Sequence, residues 1–188
     1  MPVHTPTYDE ACRMLNEYNK NPRLLEHAYS VEAAMEYFAR KTGDDADKWR
    51  IIGLVHDLDS EMFQKQHCIK TGEILRNAGW PEDYIHAIQS HGWGTWCDVQ
   101  PELYLEKVLY TIDKVTWFVS YVTVKQPSKK LADVDIAIVM ARWNDKAFAP
   151  GRNRETMIKG AAMLGVDIRE LFEGVLAAMR PVAEKVGL

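Results

Sequence analysis

The stretch IIGLVHDLD (residues 51–59) joins a strongly apolar run directly to a histidine and an aspartate. The run has the composition of a buried helix, whereas His56 and Asp57 are polar side chains that can both bind metal ions. Burying such groups costs free energy unless each has a hydrogen-bond partner, an opposite charge or a metal ion. The stretch therefore predicts that His56 and Asp57 face partners from elsewhere in the chain.

Three further histidines occupy comparable positions in other segments with helical periodicity. His27, His67 and His91 fall on the apolar sides of the segments that surround them. A single inward histidine is more often a hydrogen-bonded core residue than a ligand. Four on neighbouring helices can instead converge at one point, as ligands do in metal sites at the core of helical bundles.

Asp113 is a second polar residue within an apolar segment, LYTIDKVTW (residues 109–117). A buried carboxylate is costly unless it pairs with a basic side chain or binds a metal ion. Lys107, Lys114 and Lys125 are available as basic partners. The alternatives for Asp113 are therefore an ion pair inside the core and a place among the inward histidines.

Helical periodicity dominates the whole chain and predicts an all-α fold of about seven to nine helices. Gly43 and Gly79 follow two of the predicted helices, and Pro181 is expected to kink or break the last one. The second half of residues 101–124 is rich in β-branched and aromatic side chains, so a strand is the alternative there. We find no hairpin signature, internal repeat or low-complexity tract in the sequence.

The composition is that of an ordinary soluble globular protein, with 188 residues, 47% of them hydrophobic and 27% charged. A chain of this length forms a core without a structural metal, so a bound metal would serve chemistry. The net charge of −4, without a block of Lys or Arg, argues against partners such as nucleic acid polymers or membranes. The three cysteines, Cys12, Cys68 and Cys97, contain no C-x-x-C pair, which favours reduced thiols and a cytoplasmic location.

The order of the inward residues resembles that of the HD superfamily of metal-dependent phosphohydrolases. The residues are His27, then His56 and Asp57, then His67, His91 and Asp113. Their contexts are also similar, since IIGLVHDLD resembles the signature segment and HCIKTGEIL (residues 67–75) the segment that follows it. AIQSHG (residues 87–92) resembles the later histidine helix and TIDKV (residues 111–115) the final aspartate helix. Over most of its length the chain resembles an uncharacterised group of predicted HD-superfamily hydrolases.

The resemblance implies an HD-domain helical bundle that forms one domain over residues 1–188. Its HD core would cover about residues 20–125, with C-terminal helices at about 130–188 packed on it. The implied ligands of a first metal ion are His27, His56, Asp57 and Asp113. The implied ligands of a second ion are Asp57, His67 and His91. The chain lacks the Gly-Tyr-Pro stretch of the HD-GYP subfamily, so hydrolysis of cyclic dinucleotides is not expected.

Imidazole and carboxylate ligands suit Mn, Fe, Co, Ni or Zn, so the expected cofactor is one or two divalent transition metal ions. Cys68 follows His67 directly. On helical geometry its side chain would point about 100° away, so we expect it in the core and not among the ligands.

The expected catalytic residues are Asp57, as the shared ligand, and Lys114, which follows Asp113 at a position that is often basic in the family. The expected phosphate-binding residues are Lys114, Arg152 and Arg154. Both arginines lie beside a predicted helix N-terminus, where anions bind readily. The alternative for each cation is a solvated surface charge.

For three residues near the inward histidines the sequence allows two alternative roles. Asp59 is either a general acid or supporting partner of the centre, or a helix-capping or solvated acid. Trp93 and Trp96 either line a substrate pocket or cap the core.

These observations and the resemblance predict a metal-dependent phosphohydrolase that acts on a small phosphate ester or nucleotide through a metal-activated water. The alternative is a metal- or nucleotide-binding regulatory module with weak or no catalysis. The complete ligand set favours the enzyme, because regulatory binders of this fold often lack a ligand. The expected partner is a small phosphate-containing molecule.

Overall fold

The computed structural model describes residues 4–150 and 154–188. Within these ranges the chain is all-helical, with nine α-helices, three short 3-10 turns and no β-strand, which confirms the predicted fold class. The helices are α1 (Tyr8–Tyr18), α2 (Pro22–Thr42), α3 (Ala46–Val55), α4 (Ile69–Asn77), α5 (Glu82–Ser90), α6 (Tyr104–Val124), α7 (Ile136–Asn144), α8 (Arg154–Leu164) and α9 (Ile168–Met179). Helix α1 was not predicted from the sequence.

A tight turn joins α2 to α3. Helix α2 ends at Gly43, whose φ of 78° lies in the left-handed region that glycine adopts without strain. Asp45 then caps α3, because its carboxylate accepts a hydrogen bond of 3.0 Å from the amide of Lys48. The turn brings the two helices side by side.

Gly53 permits an unusually close approach of α3 to α2. A Cβ atom at this position would lie 2.9 Å from Cγ of Met35 and 3.0 Å from the carbonyl oxygen of Val31. Any larger residue would push the helices apart. The close packing places the ring of His56, at the end of α3, beside that of His27, with ring centroids 5.1 Å apart.

Helix α6 is unbroken over 21 residues, so the strand alternative for its second half is wrong. Its β-branched and aromatic residues Phe118, Val119 and Val122 are fully buried. They lie on a helix that packs against α2, α8 and α9, and this tertiary packing outweighs the local preference for a strand. The helix carries Asp113 into the core, where the residue is 1% exposed.

The helix predicted to end before Gly79 begins only at Ile69, so the prediction that His67 lies on a helix is wrong. A 3-10 turn at Gln64–Gln66 precedes it, and His67 follows with an extended ψ of 141°. Cys68 then has a left-handed φ of 68°. The helical geometry from which we predicted the direction of Cys68 therefore does not exist.

A buried carboxylate explains why this segment is irregular. Asp59 accepts a hydrogen bond of 2.9 Å from the amide of Thr71, and its own amide donates to the hydroxyl of Thr71 at 3.2 Å. Such side-chain bonds to the backbone compete with helix formation. They tie the segment after α3 to the first turn of α4.

The C-terminal helices complete the bundle. Helices α8 and α9 pack on α6, and α9 also packs on α2 and α7. Helix α9 ends at Met179, and Pro181 lies in the 3-10 turn Arg180–Val182 that follows, as the proline predicts. In the part of the chain that the structure describes, no helix has the length and apolarity needed to cross a membrane.

Candidate metal centre

Six side chains from five segments converge on one point. They come from the start of α2, the end of α3, the segment before α4, the end of α5 and the middle of α6. The residues are His27, His56, Asp57, His67, His91 and Asp113. Five of these side chains are at most 10% exposed, whereas that of Asp57 is 16% exposed. The centre is therefore buried and meets solvent mainly at Asp57.

The first group combines residues of α2, α3 and α6. Nε2 of His27 lies 3.0 Å from Oδ1 of Asp113 and 3.9 Å from Oδ2 of Asp57. Nε2 of His56 lies 3.5 Å from Oδ1 of Asp57 and 3.9 Å from Oδ1 of Asp113. Two imidazoles and two carboxylates thus face one another at distances that a shared metal ion would bridge.

The second group lies on the other side of Asp57. The Nε2 atoms of His67 and His91 are 3.2 Å apart. Oδ1 of Asp57 is 3.4 Å from the first and 3.3 Å from the second. The structure therefore brings all six residues of the predicted ligand sets together, with Asp57 between the two groups.

Outer hydrogen bonds fix the orientation of two of the rings. Nδ1 of His56 donates to the carbonyl oxygen of Gly53 at 2.8 Å, and Nδ1 of His91 donates to that of Ile88 at 2.5 Å. Because a carbonyl oxygen only accepts, Nδ1 must carry the proton in both rings. In the neutral rings, Nε2 therefore presents its lone pair to the centre, as metal binding requires.

Asp59 orients the ring of His67. The carboxylate is fully buried, and its Oδ1 accepts a hydrogen bond of 2.7 Å from Nδ1 of His67. Burial alone would lower the pKa of His67, but the bond to Asp59 and the charge of Asp57 outweigh it, and the pKa is raised. A carboxylate behind a ligand histidine is the arrangement found in many metal sites. Of the readings that the sequence left open, this geometry favours a supporting partner.

The inward-facing atoms lack the partners that a metal ion would supply. His67 and His91 both donate through Nδ1, so in their neutral forms two lone pairs face each other across 3.2 Å. That contact is repulsive unless a proton or a metal cation lies between them. Nε2 of His56 and Oδ1 of Asp57 are buried without a hydrogen-bond partner among the described residues. Such atoms are rare, and the imidazole and carboxylate donors fit a divalent transition metal.

The acid–base properties also suit metal ligands. Burial would raise the pKa of Asp57 and of Asp113, but the neighbouring imidazoles and, for Asp113, the ammonium group of Lys114 outweigh it. Both pKa values lie well below the usual range. Burial lowers the pKa of His56 to about 4. At neutral pH the carboxylates are charged and His56 is neutral, which is the protonation state of bound ligands.

Lys114 places a positive charge at the edge of the centre. Its ammonium group forms an ion pair with the carboxylate of Asp113, and its side chain is 25% exposed. Burial lowers the pKa of Lys114, but the attraction of Asp113 outweighs this effect and the pKa is raised. Lys114 is therefore a cation that both the centre and solvent can reach.

Arg154, one of the two arginines expected to bind phosphate, makes none of its described contacts with the centre. Arg154 donates to the carbonyl oxygens of Phe148 at 2.8 Å and Asp145 at 3.0 Å, and it lies over the ring of Trp143. These contacts hold the described residues that follow α7 against the start of α8. Arg152 lies outside the described residues.

A pocket of about 360 Å³ opens beside His27. Trp117 lines it and stacks on the ring of His27, with centroids 4.4 Å apart. Arg23 and Lys125 bring positive charge to the pocket, and Glu26 brings negative charge. Neither cation was predicted to bind substrate, although Arg23 precedes His27 by four residues, one helical turn.

Cys68 lies against the second group. Its Sγ is fully buried and 3.6 Å from Nε2 of His91. Donor atoms of His67, Cys68 and His91 all lie within 4.8 Å of one another, a spacing at which they could hold a metal ion. A hydrogen bond with Cys97 and burial raise the pKa of the Cys68 thiol well above its usual range, and the same bond lowers the pKa of Cys97 to about 6. Cys68 is buried, as expected, but its backbone is not helical, and its side chain does not point away from His67 and His91 as predicted.

The two tryptophans after His91 differ in their surroundings. Trp96 is 45% exposed and meets the ring of His67 edge-on, with centroids 5.4 Å apart. Trp93 instead lies under the ammonium group of Lys159, 3.5 Å from its ring centroid, and near the ring of Tyr110. Of these two tryptophans, Trp96 is therefore the one that borders the centre.

The family model of the HD domain matches residues 24–116 of the chain. The matched range runs from α2 to α6 and includes all six residues of the centre. No curated protein and no solved structure shows a significant match. HD domains bind divalent metal ions, and most of them are metal-dependent phosphohydrolases, in agreement with the donor groups assembled here. With this match and this helical bundle, the chain belongs to the HD superfamily.

Proposed function

We propose that the chain is a metal-dependent phosphohydrolase that acts on a small phosphate ester or nucleotide through a metal-activated water. The observation that carries the proposal is the position of Oδ1 of Asp57. It lies 3.3 to 3.5 Å from Nε2 of His56, His67 and His91, and it has no hydrogen bond among the described residues. One carboxylate oxygen shared by two groups of imidazoles suits a centre of two close ions.

Two divalent ions in this centre would acidify a water molecule and neutralise charge on a phosphoryl oxygen. The chain's own residues provide access and further charge. The partly exposed side chain of Asp57 lies where the two groups meet, so a phosphate can approach both from solvent. The ammonium group of Lys114, at the same buried edge, would stabilise negative charge that develops on the phosphate.

The pocket beside His27 supports a small substrate. Its volume of about 360 Å³ falls within the range of small-molecule sites. Trp117 offers an apolar wall, and Arg23 and Lys125 offer positive charge to an anionic group. We assign the leaving group of the substrate to this pocket. Phosphate binding by Arg152 stays a prediction, and the contacts of Arg154 favour a structural role.

We further propose a cytoplasmic enzyme that acts on a free small molecule and not on a nucleic acid polymer or a membrane. The net charge of −4 and the three cysteines, none of which is disulfide-bonded in the structure, support this setting.

The test is a screen of phosphomonoesters, nucleotides and cyclic nucleotides with the purified protein and added Mn²⁺. We expect hydrolysis of at least one class, its loss with a chelator and its return with metal. Lys114→Ala should lower kcat/KM while metal content is retained, and Lys107→Ala, on the same helix, is the matched control. Metal binding without hydrolysis of any class would favour the regulatory module instead.

A further inference from the structure

We propose that the thiolate of Cys68 is a fourth protein ligand of the second metal position, beside Asp57, His67 and His91. This position would therefore take a thiophilic divalent ion such as Zn²⁺. The inference rests on the proposed function only in assuming that the centre binds metal. It adds a ligand and a metal class, and it does not depend on the substrate.

The backbone directs Cys68 towards the centre. Its φ of 68° lies in the left-handed region, which residues other than glycine rarely adopt. His67 precedes it with a ψ of 141°, so the two side chains reach the same place although they are neighbours in the chain. Strained backbone of this kind persists only where the surrounding structure holds it, and it is frequent at ligand sites.

The donor atoms have the separations of ligands around one tetrahedral ion. The Nε2 atoms of His67 and His91 are 3.2 Å apart, and Sγ of Cys68 is 3.6 Å from Nε2 of His91. With bond lengths of about 2.0 to 2.1 Å from zinc to nitrogen and about 2.3 Å to sulfur, tetrahedral angles give about 3.3 Å between nitrogens and about 3.6 Å between nitrogen and sulfur. Both observed separations agree with these values.

Packing keeps the thiol in this position. Cys68 is fully buried, and Gly92 lies so close that a Cβ atom there would overlap Sγ of Cys68. The side-chain amide of Gln89 donates to the carbonyl oxygen of Cys68 at 3.2 Å and fixes its backbone. The thiol therefore meets the second position without rearrangement of the chain.

Metal binding would replace the proton of the thiol. The S–H bond breaks, a sulfur–metal bond forms, and the proton leaves to solvent. Thiolates favour zinc and other soft or borderline ions, whereas carboxylates also suit Mn²⁺. The second position would therefore prefer Zn²⁺ over Mn²⁺ more strongly than the first position, whose ligands are imidazoles and carboxylates.

Cobalt substitution tests the proposal directly. We expect the metal-stripped full-length protein, titrated with Co²⁺, to develop the near-ultraviolet charge-transfer band of a cobalt–thiolate bond. Cys68→Ser should lose this band and keep the visible bands of cobalt at the first position. Its affinity for Zn²⁺ at the second position should fall by at least roughly 10- to 100-fold, the loss that even supporting residues of metal sites cause.

Two cysteine variants serve as controls. Cys97→Ser changes the neighbouring thiol and Cys12→Ser a thiol of α1, and both should keep the band. If the wild-type protein shows no charge-transfer band after two equivalents of Co²⁺, the proposal is overturned without any variant. A band that persists in Cys68→Ser, or that is lost in Cys97→Ser, would also overturn the proposal. A protein that shows the band but hydrolyses nothing would refute the proposed function and leave the ligand assignment standing.

Discussion

Replacing Asp59 by asparagine separates support of the metal centre from direct metal binding. Asp59 is fully buried and accepts two hydrogen bonds, from Nδ1 of His67 at 2.7 Å and from the amide of Thr71 at 2.9 Å. The amide side chain of asparagine has the same size but only one oxygen. In Asp59→Asn, one of the two donors therefore faces an NH₂ group and loses its partner.

The magnitude follows from this lost bond. A buried donor without a partner costs about 1 to 3 kcal/mol. For a chain of this length each kcal/mol lowers Tm by about 2 to 4 °C, so we expect a decrease of about 2 to 12 °C. Loss of the carboxylate behind His67 should weaken metal binding at the second position by roughly 10- to 100-fold. The first position should keep its affinity, because the hydrogen bonds of Asp59 go to His67 and Thr71 and to none of the ligands of the first metal ion.

Calorimetric metal titration and thermal unfolding of the metal-stripped protein measure the two effects separately. The matched control is Asp135→Asn, because Asp135 caps α7 through a bond of 2.8 Å to the amide of Ile138, and asparagine caps helices equally well. If Asp59→Asn binds metal at both positions with the affinity of the wild-type protein, the supporting role of Asp59 is refuted. An equal loss at both positions would show that Asp59 does not act through His67.

Three further predictions concern the ligands themselves. Asp57→Ala should abolish metal binding and hydrolysis. His86→Ala should change neither, because the half-exposed ring of His86 lies outside the centre. Equal metal contents and rates in the two variants would contradict the assignment of Asp57 as a ligand. His91→Ala should lose one ion and most of the turnover but keep the first ion, and a wild-type metal content and rate would leave a mononuclear centre. Acidification should release the ions in two steps. The second ion should leave first, because the pKa of His67 is raised and protons compete with metal for this ring at a higher pH. His56, with a pKa of about 4, stays neutral to a lower pH and keeps the first ion. A single release step in equilibrium dialysis at decreasing pH would refute this order.

Much of the fold follows from apolar periodicity. Gly43 and Pro181 end helices in the structure as the sequence predicts, because their backbone preferences are local and strong. The second half of α6 could not be decided locally, since its β-branched residues also suit a strand. Burial of Phe118 and Val122 against other helices decides it, and that packing is a property of the whole chain.

The convergence of the six inward residues was also predictable, because their order and their apolar surroundings resemble those of a known family. The details of the second group were not. His67 and Cys68 lie on an irregular segment. The hydrogen bond that shapes it, from the amide of Thr71 to the carboxylate of Asp59, joins residues twelve positions apart. Helical periodicity carries no information about such a segment.

The surroundings of the centre were the least predictable part. Arg154 stands beside a helix N-terminus, as an anion-binding residue would, yet carbonyl oxygens of the preceding connection use its donors. Arg23 and Lys125 reach the pocket from the start of α2 and the end of α6, which are adjacent only in the folded chain. Which cation faces a cavity depends on how helix ends meet, and no local pattern reports it.

Anomalous diffraction at the zinc edge, from crystals of the protein grown with Zn²⁺, tests most directly whether the six residues form a metal centre. We expect two peaks on either side of Asp57. One should lie among His27, His56 and Asp113 and the other between His67 and His91, each about 2.0 to 2.3 Å from its ligand atoms. A map without a peak at bonding distance from any of these residues would contradict the metal centre.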